Sequence, residues 1–253
     1  MRPKKPTPGR GTERLHKRIA ASGLCSRRAA EQLIAEGRVE VNGELVTEMG
    51  VKVSDSDEIR VDGQVLGVSK LYYLVMNKPV GHVTTMRDPQ GRPTVTKFLP
   101  KLDATLKPVG RLDMDTEGLL LFTNDGEFAN RLTHPRFGVE KEYLANVSGI
   151  VDPEALDKLR KGVYIEGGKT APAKAAVVHA EEKADRTTLR LVIHEGRKRQ
   201  VRQMCEAVGH PVITLKRVRI GPVVLRGMAR GECRMLGKQE VEALLEASKR
   251  PKA

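Results

Sequence analysis

Three acids, Asp113, Asp115 and Glu117, stand between Gly110 and Gly118 and run directly into the apolar stretch Leu119-Leu120-Leu121-Phe122. A polar loop that passes straight into a strand-like run can hold a carboxylate still while leaving it open to a substrate. Arg111 lies two residues before Asp113, so an extended segment would place both side chains on one face. A cation at that position would keep the carboxylate ionised, and an ionised carboxylate serves as nucleophile or base. A solvated acidic turn has the same composition. The spacing Asp113-x-Asp115-x-Glu117-Gly118 also matches the start of a calcium loop. Its twelfth position would be Asn124 instead of a bidentate glutamate, however, and an apolar run fills its second half. No metal site is expected.

The elements that must position this loop are legible on either side of it. Tyr72 to Met76 reads as a strand, followed by the turn Asn77-Lys78-Pro79-x-Gly81. Residues 86–106 are loop-rich. Asn124-Asp125-Gly126 is expected to turn the chain, and Glu127 to Leu132 to form a short helix ended by His134-Pro135. Val139, Lys141, Tyr143, Ala145 and Val147 alternate and should share one face of a strand. Taken alone, Tyr143 reads as a core tyrosine. Asp152-Pro153 begins a helix that Gly162 closes. Thr187 to His194 alternates again, with Leu189, Leu191 and Ile193 inward. A helix after Glu195 puts Val201, Met204, Cys205 and Val208 on its apolar stripe, with Arg199, Arg202 and Glu206 on another face. Glu240 to Ala247 is a closing helix, and 248–253 a frayed basic end.

In front of this stands a smaller unit. Residues 1–11 are rich in Pro, Gly, Lys and Arg and are expected to be disordered. Glu13 to Ala21 reads as a helix with Leu15 and Ile19 on one side. Ser26 caps a second helix running to Glu36, and short strands meet at Asn42-Gly43 and Asp62-Gly63. This unit, 12–70, is expected to fold apart from a larger domain over 71–247. Its bases Arg14, Lys17, Arg18, Arg27 and Arg28 gather on the helix pair, while most acids lie in the strands and turns.

The chain has 253 residues and a net charge of +13, which suits a polyanionic partner, most simply nucleic acid. From Arg186 to Arg230 eleven Lys and Arg are opposed only by Glu195 and Glu206. The three cysteines, Cys25, Cys205 and Cys233, lie far apart without ligand spacing, which fits a reducing compartment. No phosphate loop or dinucleotide fingerprint is evident. No apolar run approaches membrane length. A soluble, cytoplasmic monomer is expected. Without tryptophan and with only four Tyr and four Phe, RNA binding should rest on charge and shape instead of an aromatic platform.

Four motifs in order carry a family resemblance. Gly110-Arg111-Leu112-Asp113 with Thr116-x-Gly118-Leu119-Leu120 resembles the catalytic motif of RNA pseudouridine synthases, in particular the RsuA/RluB group that modifies ribosomal RNA. Asn77-Lys78-Pro79-x-Gly81 is similar to the family's first motif, Lys141-Glu142-Tyr143 to the motif bearing its active-site tyrosine, and Gly196-x-x-Arg199-Gln200-Val201-Arg202 to its third. Leu24 to Ala29 and Gly37-x-Val39-x-Val41-Asn42-Gly43 resemble the S-four RNA-binding domain. The implied fold is α+β: a small N-terminal α/β domain, then a mixed, mostly antiparallel sheet flanked by helices with a cleft across its middle. The implied activity is isomerisation of a uridine to pseudouridine in ribosomal RNA or a pre-ribosomal particle, without cofactor.

By the same resemblance Asp113 is the catalytic carboxylate, Tyr143 stacks on the uracil, Arg202 pairs with and orients Asp113, and Arg111 fills the gap left by the flipped base. Lys78, Arg197, Lys198 and Arg199 join the basic helix pair as RNA contacts. Asp88-Pro89-x-Gly91-Arg92-Pro93 and Ala129-Asn130-Arg131-Leu132-x-His134-Pro135 look most like the large-subunit branch. A small-subunit enzyme and a non-catalytic assembly factor are the alternatives.

Overall fold

The computed structural model describes residues 12–67 and 70–249. The N-terminal stretch 1–11 and the last residues 250–253, expected to be disordered or frayed, lie outside the described residues. The chain divides into two units, one of the residues up to Leu71 together with Asp103–Thr105, the other of Tyr72–Leu102 and the residues from Leu106 on.

The front unit comprises β1 (Glu13–Arg14), α1 (Leu15–Ala21), α2 (Arg27–Ala35), β2 (Val39–Val41), β3 (Glu44–Leu45), β4 (Lys52–Val53), β5 (Ile59–Val61) and β6 (Gln64–Val65). The first helix is shorter than the periodicity predicts, because Glu13 and Arg14 pair as a strand with Val53 and Lys52. Ser26 caps α2 by accepting from the Ala29 N–H at 3.2 Å. Asn42-Gly43 and Asp62-Gly63 all take positive φ, so both hairpins use the tight turns that match strand twist. Leu15, Ile19, Ala30, Ile34, Val39 and Ile59 form a core of the unit's own.

The larger unit is built on one sheet, of nine strands among the described residues. Its strands are β7 (Tyr73–Lys78), β8 (Lys107–Val109), β9 (Thr116–Thr123), β10 (Lys141–Ser148), β13 (Lys174–Glu181), β14 (Arg186–Ile193), β15 (Val212–Ile220), β16 (Val223–Val224) and β17 (Cys233–Met235). The hairpin β11 (Tyr164–Ile165) with β12 (Gly168–Lys169) stands apart. The main path runs β13-β14-β10-β15-β9-β7-β17. Every pairing is antiparallel except β9 with β15.

Helices cover both faces of the sheet. On one side α4 (Pro153–Lys161) and α5 (Gln200–Ala207) bury Leu159, Val201 and Met204 against Leu120 and Phe122. On the other, α3 (Gly126–Thr133) and α6 (Lys238–Ala247) bury Phe128, Leu132 and Leu244 against Leu119 and Leu121. A central strand covered on both faces must be apolar at every position, which is why Leu119 to Phe122 is an unbroken run instead of an alternation. Asp125 accepts from the Glu127 and Phe128 N–H groups and so caps α3; Asn124 to Gly126 is the entry to that helix, not the free turn the residues predict.

Candidate active site

β9 pairs with β15 only at Thr116, Glu117 and Gly118; further along, β8 takes over as its neighbour at Leu121 to Thr123. A cleft of about 400 Å³ is lined by residues of β8, β9, β10 and β15 and of the loop that joins β8 to β9. That volume suits a single nucleoside. Gly118 makes the β9–β15 pairing possible: a Cβ there would run into the carbonyl oxygen of Arg217. Gly118→Ala should therefore cost about 3 kcal/mol or more. A denaturation midpoint unchanged by the substitution would contradict this packing.

The loop carrying Asp113 is tied down through its backbone. Thr84 donates its hydroxyl to the Leu112 carbonyl at 2.7 Å, and the Gly81 N–H donates to the Met114 carbonyl at 2.8 Å. Lys78, fully buried at the end of β7, donates its ammonium to the carbonyls of Asp113 at 3.0 Å, Thr116 at 2.8 Å and Pro79 at 3.1 Å. Burial pulls this ammonium down to about 8, with Asp113 and Asp115 acting in the opposite direction. The expectation that Lys78 meets phosphate is corrected: it has no exposed surface, and its donors are spent on the loop.

Asp113 faces the cleft with its side chain 36% exposed, and its nearest cation is Arg199, at 4.0 Å. Arg111 is exposed and forms no ion pair among the described residues, so it is not the counter-charge that its spacing suggests. The expected pairing of Arg202 with Asp113 is also replaced. Arg202 donates to the Asp115 carbonyl at 2.8 Å and stands 3.3 Å from its carboxylate, while Arg199 binds that carboxylate at 2.8 Å.

The cause is local. Arg199 takes a left-handed conformation, φ 49°, at the start of α5. That bend returns its guanidinium over the acidic loop, while Arg202, one turn further on, is held by the Val212 carbonyl at 3.3 Å. At Asp115 burial opposes ionisation, but the Arg199 hydrogen bond and the charges of Arg202 and Arg199 outweigh it and hold the carboxyl below its ordinary range. Two of the acids that imitate a calcium loop are thus engaged by cations: Asp115 by these arginines, and Glu117 by Lys216 at 3.4 Å and Arg230 at 3.0 Å.

Tyr143 lines the cleft and is 8% exposed. Across the ladder it faces Arg217, which is 3% exposed and was not singled out by its sequence context. Arg217 donates through Nε to the Leu119 carbonyl at 2.7 Å and through Nη1 to the Tyr143 hydroxyl at 3.5 Å. Lys141, two residues before Tyr143, is buried in the same wall.

The predicted RNA contacts divide. Arg14, Lys17, Arg27, Arg28 and Lys198 are exposed. Arg18 is spent within the front unit, on Asp55 at 2.6 Å, Glu13 at 3.3 Å and the Ser54 carbonyl. Arg197 is spent on the β11–β12 hairpin, donating to the carbonyls of Gly167, Gly168 and Lys169. No cluster of potential metal ligands occurs among the described residues, and no helix there is long and apolar enough to cross a membrane.

Comparison with known proteins gives the family. The RNA pseudouridylate synthase model matches residues 72–207, and the S4 domain model residues 13–59. The chain is 49% identical to the ribosomal large subunit pseudouridine synthase B of Bacillus subtilis, covering 92% of this chain and 95% of that one. It is 42% identical to an uncharacterized RNA pseudouridine synthase of Aquifex aeolicus, covering 92% and 94%. A solved pseudouridylate synthase superposes with a TM-score of 0.67 at 35% identity, over 91% of this chain and 99% of that one. With its acid-bearing loop, its cleft and an S4 domain in front, the chain belongs to the RNA pseudouridine synthase family.

Proposed function

We propose that this protein isomerises a uridine of large-subunit ribosomal RNA to pseudouridine, with Asp113 as the reacting carboxylate. The observation that carries the reading is the presentation of Asp113: an accessible carboxylate in a nucleoside-sized cleft, on a loop whose carbonyls are pinned by Lys78. The bond from N1 to C1′ must break, the uracil must turn, and C5 must bond to C1′. A uridine in a stacked helix cannot reach the carboxylate, so it must flip out. Asp113 then either attacks C1′ or removes a proton from C2′; both routes begin from the ionised acid. Tyr143 offers its ring to the flipped base. Arg199 and Arg202 hold Asp115 and so fix the far side of the loop. Arg111, free at the rim, is placed to enter the space the base leaves.

The identity to the Bacillus large-subunit enzyme over nearly the whole of both chains supports that RNA as the substrate. Purified protein should release tritium from C5 of labelled uridine in a large-subunit RNA fragment; release only from small-subunit RNA would move the target.

Affinity for RNA should fall steeply with salt, because binding is carried by lysines and arginines that displace counterions. Reversing Arg14, Lys17, Arg27 and Arg28 together should weaken binding at low salt and flatten the slope of log affinity against log salt by about 3. A slope equal to that of the wild type would remove the front unit from the RNA interface.

A further inference from the structure

Lys141 and Arg217 are buried in the wall of the cleft, and the protein leaves donors of both unused. Lys141 is 9% exposed, yet its ammonium makes no hydrogen bond or ion pair among the described residues. The charge that acts on it is that of Arg217, which repels it; burial and that repulsion pull it down to about 8. Arg217 uses Nε and Nη1, but its Nη2 is buried without a partner. A buried N–H without a partner, set beside a lysine whose ammonium has no partner in the protein and opens to the cleft, destabilises the free protein. Perturbed, unpaired groups in a cleft mark the place where a ligand completes the set.

Their placement around Tyr143 indicates which ligand atoms are meant. Lys141 precedes Tyr143 by two residues on the same face of β10, and Arg217 is its cross-strand partner on β15. Neighbours of these kinds are separated by about 7 Å along a strand and about 5 Å across it. A planar base on the Tyr143 ring therefore brings its rim within reach of both. In the proposed isomerisation the N1–C1′ bond breaks and its electron pair leaves with the uracil, where the charge spreads to the two ring carbonyl oxygens. The C5 pair then forms the C5–C1′ bond, C5 releases its proton, and N1 takes one up; no electrons are gained or lost overall. Donors aimed where that transient charge develops lower the barrier to its formation.

We propose that the Lys141 ammonium and the free Nη2 of Arg217 donate to the carbonyl oxygens of the flipped uracil and stabilise its negative charge as the glycosidic bond opens. This rests on the synthase reading, with Asp113 as the reacting carboxylate. Both groups touch the substrate and are catalytic residues in that sense. Arg217 also fastens β15 to β9 through Leu119, so the test falls on Lys141.

The full-length chain is compared with Lys141→Met and Lys141→Arg. Single-turnover tritium release from C5 of uridine in the RNA fragment is measured beside filter-binding affinity and melting temperature. Lys141→Met should melt no lower than the wild type, since it removes a charge that Arg217 repels and breaks no hydrogen bond within the protein. It should bind RNA within about threefold of the wild type but react ~10² to 10³ times more slowly, as when one charge-stabilising donor is removed from an enzyme. Lys141→Arg, which keeps the charge, should recover at least about a tenth of the rate. A Lys141→Met rate equal to the wild type, a loss that follows RNA affinity, or a lowered melting temperature with equal losses in both variants would each overturn the proposal. Asp113→Asn run in parallel separates the two readings. If it is inactive while Lys141→Met is fully active, only the role of Lys141 falls; if it is itself active, the carboxylate assignment falls.

Discussion

Asp113→Asn should leave a folded, RNA-binding protein that no longer makes pseudouridine. The substitution keeps the size of the side chain and removes its charge. Its nearest cation is 4.0 Å away, so little packing or pairing is lost. The Lys78 bond goes to the backbone carbonyl of residue 113, which the substitution retains. The melting temperature should stay close to that of the wild type. RNA affinity should hold or rise slightly, because one negative charge leaves a surface that receives phosphates. The rate should fall by at least ~10⁴-fold, since an amide is neither nucleophile nor base at neutral pH. A pure assembly factor would tolerate the change. Measurable turnover close to the wild-type rate would show that another group carries the chemistry.

Lys78→Met should have the second largest effect, on stability and activity together. Methionine fills nearly the same volume, but the carbonyls of Pro79, Asp113 and Thr116 lose their common donor in a buried setting. Leaving buried acceptors unpaired costs about 1 to 3 kcal/mol each, partly offset because an ammonium no longer has to be buried. A net loss of about 2 to 4 kcal/mol is expected by denaturant titration. Activity should fall by ~10²-fold even at temperatures where the variant is fully folded, because Asp113 is no longer held in place. A variant as stable and active as the wild type would show that Thr84 and Gly81 suffice to hold the loop.

Much of this arrangement was legible from residue types, for physical reasons that differ from element to element. The Asp113 loop stood out because acids between glycines run straight into an unbroken apolar stretch; composition alone fits a solvated turn equally well, and the motif resemblance separates the two. The β10 face was readable because a half-covered strand must alternate, and Tyr143 fell on its buried side. The caps of α2 and α4 followed from Ser26 and Asp152, whose side chains satisfy N–H groups that the helix cannot. Side chains of one charge were the difficulty. From Arg186 to Arg230 the composition marks a basic surface, yet Arg197 binds carbonyls, Arg202 clamps Asp115 and Arg217 is buried. Only long-range pairing separates these from Lys198, which stays exposed. Lys78 misleads for the same reason: a lysine after an apolar strand usually reaches water, and its burial depends on Asp113 and Thr116, 35 and 38 residues away. The contact of β9 with β15, sealed by the Arg217 Nε bond to the Leu119 carbonyl 98 residues away, lies beyond the reach of any local pattern. Gly118, which the sequence shows as the end of the acidic loop and part of a family-like motif, is the residue that admits this close approach.

The most direct measurement is nucleotide-resolution mapping of pseudouridine in unmodified large- and small-subunit ribosomal RNA transcripts after incubation with the purified protein in a chelating buffer. The expected result is conversion of uridine at a discrete position in the large-subunit RNA, absent from the small-subunit RNA and absent when Asp113→Asn replaces the wild type. RNA that is bound but unconverted in both transcripts and in precursor particles would contradict the account and leave a binding protein that retains the family's fold.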